Sequence, residues 1–220
     1  MTRATHVLVM AKAPVPGRVK TRLCPPCSPA EAAAIAAAAL ADTLEAVASS
    51  GASHKVVALD GSPGPWLPPG FTVIPQRGNG FGERLAEAWS AMGPLSGGRG
   101  IQIGMDTPQV TPALLDAQLG VVDGSDRAAL CPALDGGWWL IGLPGTRPDR
   151  VFAGIPMSTA STGEAQVRRL RALGLEVAIG PPLIDIDTVG DLFAVAREIP
   201  GSRVAQLGRH LSATTAGSAG

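Results

Sequence analysis

The chain has 220 residues, of which 45% are hydrophobic, so it can bury one sizeable core as a single domain. Lysine plus arginine and aspartate plus glutamate both number 18, and this zero formal net charge argues against nucleic acid or a membrane surface as partner. The three cysteines are an odd number without a disulfide framework, so we expect a protein of the reducing cytoplasm. No basic-then-apolar leader opens the chain, and no apolar run approaches the ~20 residues of a membrane span.

The first predicted strand covers residues 6–10, and a loop rich in cations follows it. The cations of this loop are Lys12, Arg18, Lys20 and Arg22. Ligands of open α/β sheets bind outside the carboxyl ends of the strands, so the loop is well placed to bind phosphate. A solvated basic turn is the alternative. Neither the Walker spacing nor GxGxxG occurs, which argues against a P-loop ATPase and a dinucleotide-binding site.

Cys24 and Cys27 form a CPPC sequence with the spacing of a redox motif. The surrounding pattern lacks the arrangement of a thioredoxin, and no second pair completes a zinc site. We therefore expect a structural or incidental role for them.

The next predicted elements are a capped helix over residues 28–49 and strands over residues 55–59 and 71–74.

The turn after the third strand contains Gly78, Gly80 and Gly82, and a helix begins there. Glycines allow the backbone to approach a ligand closely. Glu83, Arg84 and the helix N-terminus could serve a base, a ribose or a phosphate. An ordinary glycine-rich turn explains the pattern equally well, so both interpretations stay open.

A fourth strand, over residues 101–105, leads directly into Asp106. An aspartate at the carboxyl end of a central strand suits a divalent cation that bridges phosphates. Asp-Thr-Pro is also a turn signal, so Asp106 could instead cap the turn. A helix over residues 111–119 follows.

Two strands, over residues 127–132 and 138–143, are joined by a tight turn of Asp135, Gly136 and Gly137. Trp138 and Trp139 are adjacent on a strand and therefore point to opposite faces, so we expect one in the core and one on a pocket floor. Asp135 could be a general base, could accept a hydrogen bond from a substrate hydroxyl, or could serve only the hairpin.

Thr162 is predicted to cap a helix over residues 163–173, and a strand over residues 177–179 follows. Asp185 and Asp187 are predicted to alternate along a strand and to point the same way, which makes them metal-ligand candidates beside Asp106. A last helix over residues 189–197 follows them, so one aspartate could be only its N-cap. Residues 1–211 are predicted to form a single domain, and residues 212–220 a disordered tail.

Six motifs occur in the order APVPGRVKTRL, GFGERL, GMDTP, LDGGWWLIGL, STGEAQVRRL and DIDTVGDL. Their combination resembles the nucleotide-diphospho-sugar transferase superfamily, and in particular the bacterial DUF2064 group of glycosyltransferase-A-like transferases. The first and last motifs are also similar to the guanylyltransferases of coenzyme F420 biosynthesis. The resemblance implies a three-layer α/β/α sandwich with a mostly parallel mixed sheet, which the alternation of strand and helix signals indicates independently.

The resemblance also implies that Arg18, Lys20 and Arg22 face phosphates, and that Asp106 with Asp185 or Asp187 holds Mg²⁺ or Mn²⁺. We expect a metal-dependent transferase that uses a nucleotide-activated donor. Glycosyl transfer from an NDP-sugar to a small acceptor ranks first. Nucleotidyl transfer from an NTP to a phosphorylated small molecule is the alternative, and a non-catalytic nucleotide-binding protein is the third possibility.

In this interpretation the catalytic candidates are Lys20, Asp106 and Asp135. The substrate-binding candidates are Lys12, Arg18, Lys20, Arg22, Gly78, Gly80, Gly82, Glu83, Arg84, Gly136, Gly137 and Trp138. The sequence Met105-Asp106-Thr107 stands where many glycosyltransferases have a DxD triplet, so a complete metal shell depends on the later aspartates. The oligomeric state is left open, with a homodimer among the options.

Overall fold

The computed structural model describes residues 4–123, 126–145 and 148–217, with side chains described as far as residue 212. Its strands are β1 (His6–Lys12), β2 (His54–Asp60), β3 (Thr72–Pro75), β4 (Arg99–Ile103), β5 (Arg127–Pro132), β6 (Trp138–Pro144) and β7 (Glu176–Ile179). They form one sheet in the order β3-β2-β1-β4-β6-β5-β7. Strand β6 runs antiparallel to β4 and β5, whereas the other pairings are parallel.

Helices cover both faces of the sheet. They are α1 (Pro29–Ala48), α2 (Phe81–Ser90), α3 (Gly93–Ser96), α4 (Pro112–Val122), α5 (Pro148–Phe152), α6 (Thr162–Ala172), α7 (Val189–Glu198) and α8 (Arg203–Gly217). Val7 and Val9 pack in the core with α1 and α4, whereas Leu8 and Met10 pack in the core with α2 and α5. This alternation confirms the predicted three-layer α/β/α sandwich.

No helix in the described ranges combines the length and apolar character needed to cross a bilayer.

The predicted cap of α1 is confirmed: the Ser28 hydroxyl accepts a hydrogen bond from the Glu31 N–H at 3.3 Å, and the Glu31 carboxylate accepts one from the Ser28 N–H at 2.7 Å. Such caps typically contribute about 1 kcal/mol.

The C-terminal segment differs from the sequence prediction. Disorder is predicted from residue 212, but the backbone of α8 is helical to Gly217, and residues 218–220 lie outside the described residues. Helix α8 buries Val204 and Leu211 in a core that it shares with α1 and α7. A helix anchored in this way can continue into the alanine-containing sequence that follows. The assignment of residues 1–211 to a single transferase domain stays a prediction.

One edge of the sheet gathers the segments that carry the candidate site. Strands β1 and β4 are parallel neighbours, so the loops that follow them lie side by side at their carboxyl ends. The turn between β5 and β6 lies at the same edge because β6 runs back antiparallel. The segment before α7 joins them there, since the Ile186 N–H donates to the Asp106 carbonyl oxygen at 3.0 Å.

A buried histidine in β1 gives the fold a predicted pH dependence. The Nδ1 atom of His6 lies 2.7 Å from the Ser96 hydroxyl, and burial lowers the pKa of His6 to about 3. The unfolded chain takes up a proton at this residue near pH 6.5, so the free energy of unfolding should fall as the pH drops from 6.5 toward 3. The contribution is at most about 1.4 kcal/mol per pH unit.

Urea unfolding of the wild type and of His6→Gln over this range measures the effect. We expect the wild type to lose stability more steeply than the variant below about pH 6.5. Parallel stability curves for the two proteins would contradict the account.

Candidate active site

Lys20 lies at the centre of the candidate site. Its φ of 48° is the left-handed conformation, which is uncommon outside glycine and concentrates at functional sites. The side chain is 7% exposed, and Nζ lies 2.9 Å from Asp106 Oδ2 and 3.4 Å from Asp187 Oδ1. Burial opposes the positive charge, but the carboxylates of Asp106 and Asp187 outweigh burial and raise the pKa of Lys20. The site therefore has a buried ammonium group held by two carboxylates.

The four cations that the sequence predicts to bind phosphate line one cleft of about 260 Å³, which we call the basic cleft. They are Lys12, Arg18, Lys20 and Arg22. Arg22 Nη1 lies 3.1 Å from Asp187 Oδ2, although most of its side chain is exposed. Lys12 Nζ lies 3.9 Å from Asp60 Oδ2, which is a loose surface pair. The structure thus brings the four cations together beside Asp106 and Asp187.

The carboxylate of Asp185 interacts electrostatically with Lys20 and with three other aspartates, Asp106, Asp135 and Asp187, and all four aspartates line one cleft. Burial, together with the nearby carboxylates of Asp106 and Asp135, raises the pKa of Asp185 to about 7, although Lys20 acts in the opposite direction. Oδ1 of Asp106 is buried and has no hydrogen-bond partner among the described residues. This concentration of carboxylates favours the binding of a cation.

The capping alternatives for Asp106 and Asp187 can now be decided. The N-cap of α7 is Thr188, whose hydroxyl accepts from the Asp191 N–H at 3.3 Å, while the Asp191 carboxylate accepts from the Thr188 N–H at 2.7 Å. The Asp187 carboxylate is paired with basic side chains of the loop after β1 instead. The Asp106 carboxylate is likewise paired with Lys20. Both carboxylates therefore face the clefts.

The prediction that Asp185 and Asp187 lie on a strand is wrong. Residues 184–188 form an irregular segment, and Leu183 before them makes an isolated bridge with Ala133. The two prolines that precede Leu183 lack N–H donors and so disfavour a continuous ladder. The two aspartates nevertheless line the same cleft, as the prediction required.

These carboxylates are a suitable donor set for Mg²⁺ or Mn²⁺, both of which prefer oxygen ligands. In the part of the chain that the structure describes, no three His, Cys, Asp or Glu side chains are grouped closely enough to hold a metal ion by themselves. Mg²⁺ is usually held by only one or two carboxylates plus substrate phosphates. Asp106 and Asp187 fit this mode, because they line the basic cleft and Asp106 has a buried, unpartnered oxygen.

A second cleft, of about 250 Å³, lies beyond the aspartates, and we call it the tryptophan cleft. Its lining includes Phe81, Gln102, Trp138, Met157 and Thr159, together with the four aspartates. Trp138 stacks against Phe152, with ring centroids 6.4 Å apart. Trp139 is buried in the core on the opposite face of the sheet. This confirms that one tryptophan belongs to the core and the other to a pocket.

The glycines of the β5–β6 turn have a packing role. Gly136 has a φ of 90°, and a Cβ atom there would lie 2.2 Å from the Ala160 carbonyl oxygen. The Gly163 N–H donates to the Gly136 carbonyl at 2.9 Å, and a Cβ atom on Gly163 would lie 2.7 Å from the Gly137 carbonyl oxygen. Asp135 accepts a hydrogen bond from the Gly137 N–H at 2.8 Å, so it stabilises the turn while it also lines the tryptophan cleft.

The glycine-rich turn after β3 lies against α5 rather than beside the aspartates. Gly78, Gly80, Gly82 and Glu83 line a separate cleft there. The Glu83 carboxylate accepts from the Asn79 N–H at 2.8 Å, and the Arg84 guanidinium lies over the Phe81 ring, 5.8 Å from its centroid. Phe81 lines the tryptophan cleft. That this turn binds a base or ribose stays a prediction.

Two features of the site were missed by sequence reasoning. Gln102 is a polar residue within the apolar IQI segment of β4, and that interruption is a signal that could have identified it. The loop of residues 157–159 lines the tryptophan cleft next to Ala160, which packs on Gly136, and no local sequence pattern indicates this position. Thr162 is the first residue of α6 and not its N-cap: its hydroxyl donates to the Pro156 carbonyl at 2.7 Å.

The CPPC cysteines are both free thiols. Cys27 is buried, and burial, with a further contribution from Glu31, raises the pKa of its thiol. Redox-active cysteines have lowered pKa values, so these properties support the structural role expected from the sequence.

The Lys20 pairing predicts a clear difference between two aspartate variants. Asp106→Asn removes a charge that balances the buried ammonium, and should lower the free energy of unfolding by about 1–2 kcal/mol. This loss is smaller than that for a fully buried ion pair, because the Asp106 side chain is partly exposed to solvent. Asp60→Asn is the matched control, because the Asp60 side chain is about as exposed as that of Asp106 but is only loosely paired with Lys12 at 3.9 Å, and it should change stability by less than about 0.5 kcal/mol. Equal effects in urea unfolding would show that the Lys20 pairing contributes nothing specific.

The fold is shared with several solved structures. A protein from Desulfovibrio desulfuricans G20, provisionally named as a nucleotide-diphospho-sugar transferase, is 29% identical, with a TM-score of 0.85 and 95% of each chain covered. The Rv0371c protein of Mycobacterium tuberculosis H37Rv is 19% identical, with a TM-score of 0.55 over 90% of this chain and 100% of that one. A nucleotidyl transferase from Methanothermobacter is 17% identical, with a TM-score of 0.54 over 87% and 95% of the two chains.

No protein of curated function matches the sequence. The family described as "Uncharacterized protein conserved in bacteria" (DUF2064) matches residues 32–159, which is more than half of the chain. This match confirms the predicted family, and the first of the solved structures confirms the architecture over almost the whole chain. The chain therefore belongs to the bacterial DUF2064 family and has the fold of the nucleotide-diphospho-sugar transferases.

Proposed function

We propose that the protein is a metal-dependent transferase that moves a glycosyl group from an NDP-sugar to a small acceptor. The observation that carries the proposal is that Asp106 and Asp187 line both the basic cleft and the tryptophan cleft. A phosphate bound in the first cleft would therefore lie next to a group bound in the second. The name given to the 29% identical protein, a nucleotide-diphospho-sugar transferase, supports the same class of reaction.

The basic cleft would hold the diphosphate. Arg18 and Arg22 are exposed, so both side chains can reach phosphate oxygens, although Arg22 also pairs with Asp187. Lys20 would supply a buried positive charge to the same cleft. Transfer from a phosphorylated leaving group depends mainly on positioning and on stabilising the developing charge, so this site needs no covalent nucleophile.

Asp106 and Asp187, with Asp185 nearby, would hold the divalent cation. When bound, Mg²⁺ or Mn²⁺ acts as a Lewis acid that neutralises charge on the diphosphate. Asp135 lines the tryptophan cleft and is exposed, so its carboxylate is available to take a proton from an acceptor hydroxyl.

Nucleotidyl transfer from an NTP is the second candidate. The specific observation in its favour is that four cations line the basic cleft, because a triphosphate carries more negative charge than a diphosphate. A non-catalytic nucleotide-binding protein is the third possibility, and the experiment below separates all three.

The direct test is thermal unfolding with UDP, GDP, their sugar conjugates and the four NTPs, each in Mg²⁺, Mn²⁺ or EDTA. A ligand at ~100 times its dissociation constant adds about 2.7 kcal/mol of stability. We expect a metal-dependent rise in Tm with one NDP-sugar, which Arg18→Gln reduces. Arg127→Gln is the control, because Arg127 lies at the opposite end of the sheet, paired with Glu176, and should bind like the wild type.

The other outcomes decide against the proposal in distinct ways. A metal-dependent rise with an NTP but with no NDP-sugar would favour nucleotidyl transfer. A rise in Tm with a donor, but no release of NDP or pyrophosphate when that donor is incubated with the protein and candidate acceptors, would favour the non-catalytic alternative. No rise with any nucleotide in the folded protein would contradict phosphate binding in the basic cleft.

Asp135→Asn tests the proposed proton acceptor. Asparagine keeps an oxygen that can accept from the Gly137 N–H, so the turn should remain intact. We expect kcat to fall by about 10²–10⁴-fold, which is typical for loss of a general base, with donor affinity unchanged. Steady-state kinetics with the donor found above measures this. An unchanged kcat would restrict Asp135 to its role in the hairpin.

A further inference from the structure

The tryptophan cleft contains a buried side chain amide that the fold itself leaves unpaired. Gln102 is the fourth of the five residues of β4 and is 1% exposed. Its Oε1 and Nε2 are both buried, and neither has a hydrogen-bond partner among the described residues. Leaving a buried amide unpaired costs free energy, because the group has lost its hydrogen bonds to water.

Packing does not explain the glutamine. The residues in register with Gln102 on the neighbouring strands are Leu8 and Ile141, and both are fully buried and apolar. A leucine or methionine at position 102 would match this environment without an unpaired amide. Because this buried amide lies beside a cleft, we infer that a ligand in the cleft supplies its hydrogen-bond partners.

Trp138 adds a second unpaired group to the same cleft. Its indole Nε1 is buried and has no hydrogen-bond partner in the described part of the chain. The Trp138 ring stacks on Phe152, which restricts its orientation. Together the two side chains offer the cleft two kinds of N–H donor and one carbonyl acceptor.

The charges of the lining decide which ligands can use these groups. The described residues around the tryptophan cleft include four aspartates and no lysine or arginine. Asp135 and Asp185 line this cleft and not the basic cleft, and their carboxylates would repel a phosphate or carboxylate bound beside them. Hydroxyl groups both donate and accept, and the C–H face of a sugar ring can pack on an indole.

We propose that Gln102 and Trp138 determine specificity for a neutral polyhydroxylated group, either the sugar of the donor or a sugar-like acceptor. This rests on the proposed function and sharpens it, because it excludes a phosphorylated acceptor from the tryptophan cleft. Anionic groups bind in the basic cleft, and uncharged hydroxylated groups bind beyond Asp106 and Asp187.

The test compares the wild type, Gln102→Met and Trp138→Phe by calorimetric binding and thermal unfolding. The probes are UDP and GDP, UDP-glucose and GDP-mannose, and glucose, mannose and their 6-phosphates, all with Mn²⁺. Methionine keeps the size of glutamine without its amide, and phenylalanine keeps an aromatic ring without the N–H.

We expect Gln102→Met to unfold at the same or a higher temperature than the wild type and to bind UDP or GDP unchanged. Its affinity for the neutral sugar should fall tenfold or more, which is about 1.4 kcal/mol. If the neutral group is the sugar of the donor, the variant should bind the NDP-sugar with a smaller advantage in affinity over the NDP than the wild type does. If it belongs to the acceptor, the loss appears with the free sugar. Trp138→Phe should show the same selective loss, and it carries the test if Gln102→Met does not fold.

Three results would overturn the proposal. They are sugar binding by both variants equal to that of the wild type, tighter binding of the 6-phosphates than of the free sugars, and no sugar-dependent binding to the wild type. Failure of the proposed function looks different, because then UDP and GDP bind to none of the proteins while the selective loss of sugar binding can still be measured.

Discussion

The ammonium group of Lys20, enclosed between the carboxylates of Asp106 and Asp187, is the interaction on which the candidate site depends. The three residues come from the loop after β1, the loop after β4 and the segment before α7. A buried charge must be balanced, since desolvation of an ion without a partner is costly. This pairing therefore fixes three separate segments against one another, and with them the two clefts that Asp106 and Asp187 both line.

The antiparallel strand β6 supplies the other half of the site. Because β6 runs opposite to β4 and β5, its hairpin returns Asp135 and Trp138 to the edge at which β1 and β4 end. Close contact between Gly136 and residues 160–163 then places the loop before α6 along the tryptophan cleft. The topology thus sets a cleft lined by aspartates and aromatic side chains beside a basic one, and the carboxylates of Asp106 and Asp187 line both.

Much of this could be predicted from local sequence. Alternating strand and helix signals predict the layers, Ser28 with Glu31 predicts the start of α1, and cations after an apolar strand predict the basic cleft. Local patterns do not carry tertiary contacts. They could not show that Thr188, and not Asp187, caps α7, that residues 184–188 leave the strand ladder, or that packing on α1 and α7 orders α8. The missing partners of Gln102 likewise become evident only when its neighbours are known.

The most direct test of the central claim is diffraction from crystals soaked with Mn²⁺ and either UDP or GDP, recorded at a wavelength where manganese scatters anomalously. The account predicts one strong anomalous peak at coordination distance from the carboxylates of Asp106 and Asp187. It also predicts that the diphosphate lies in the basic cleft, in contact with Arg18 or Arg22. A diphosphate bound elsewhere, or manganese bound away from both aspartates, would contradict the account.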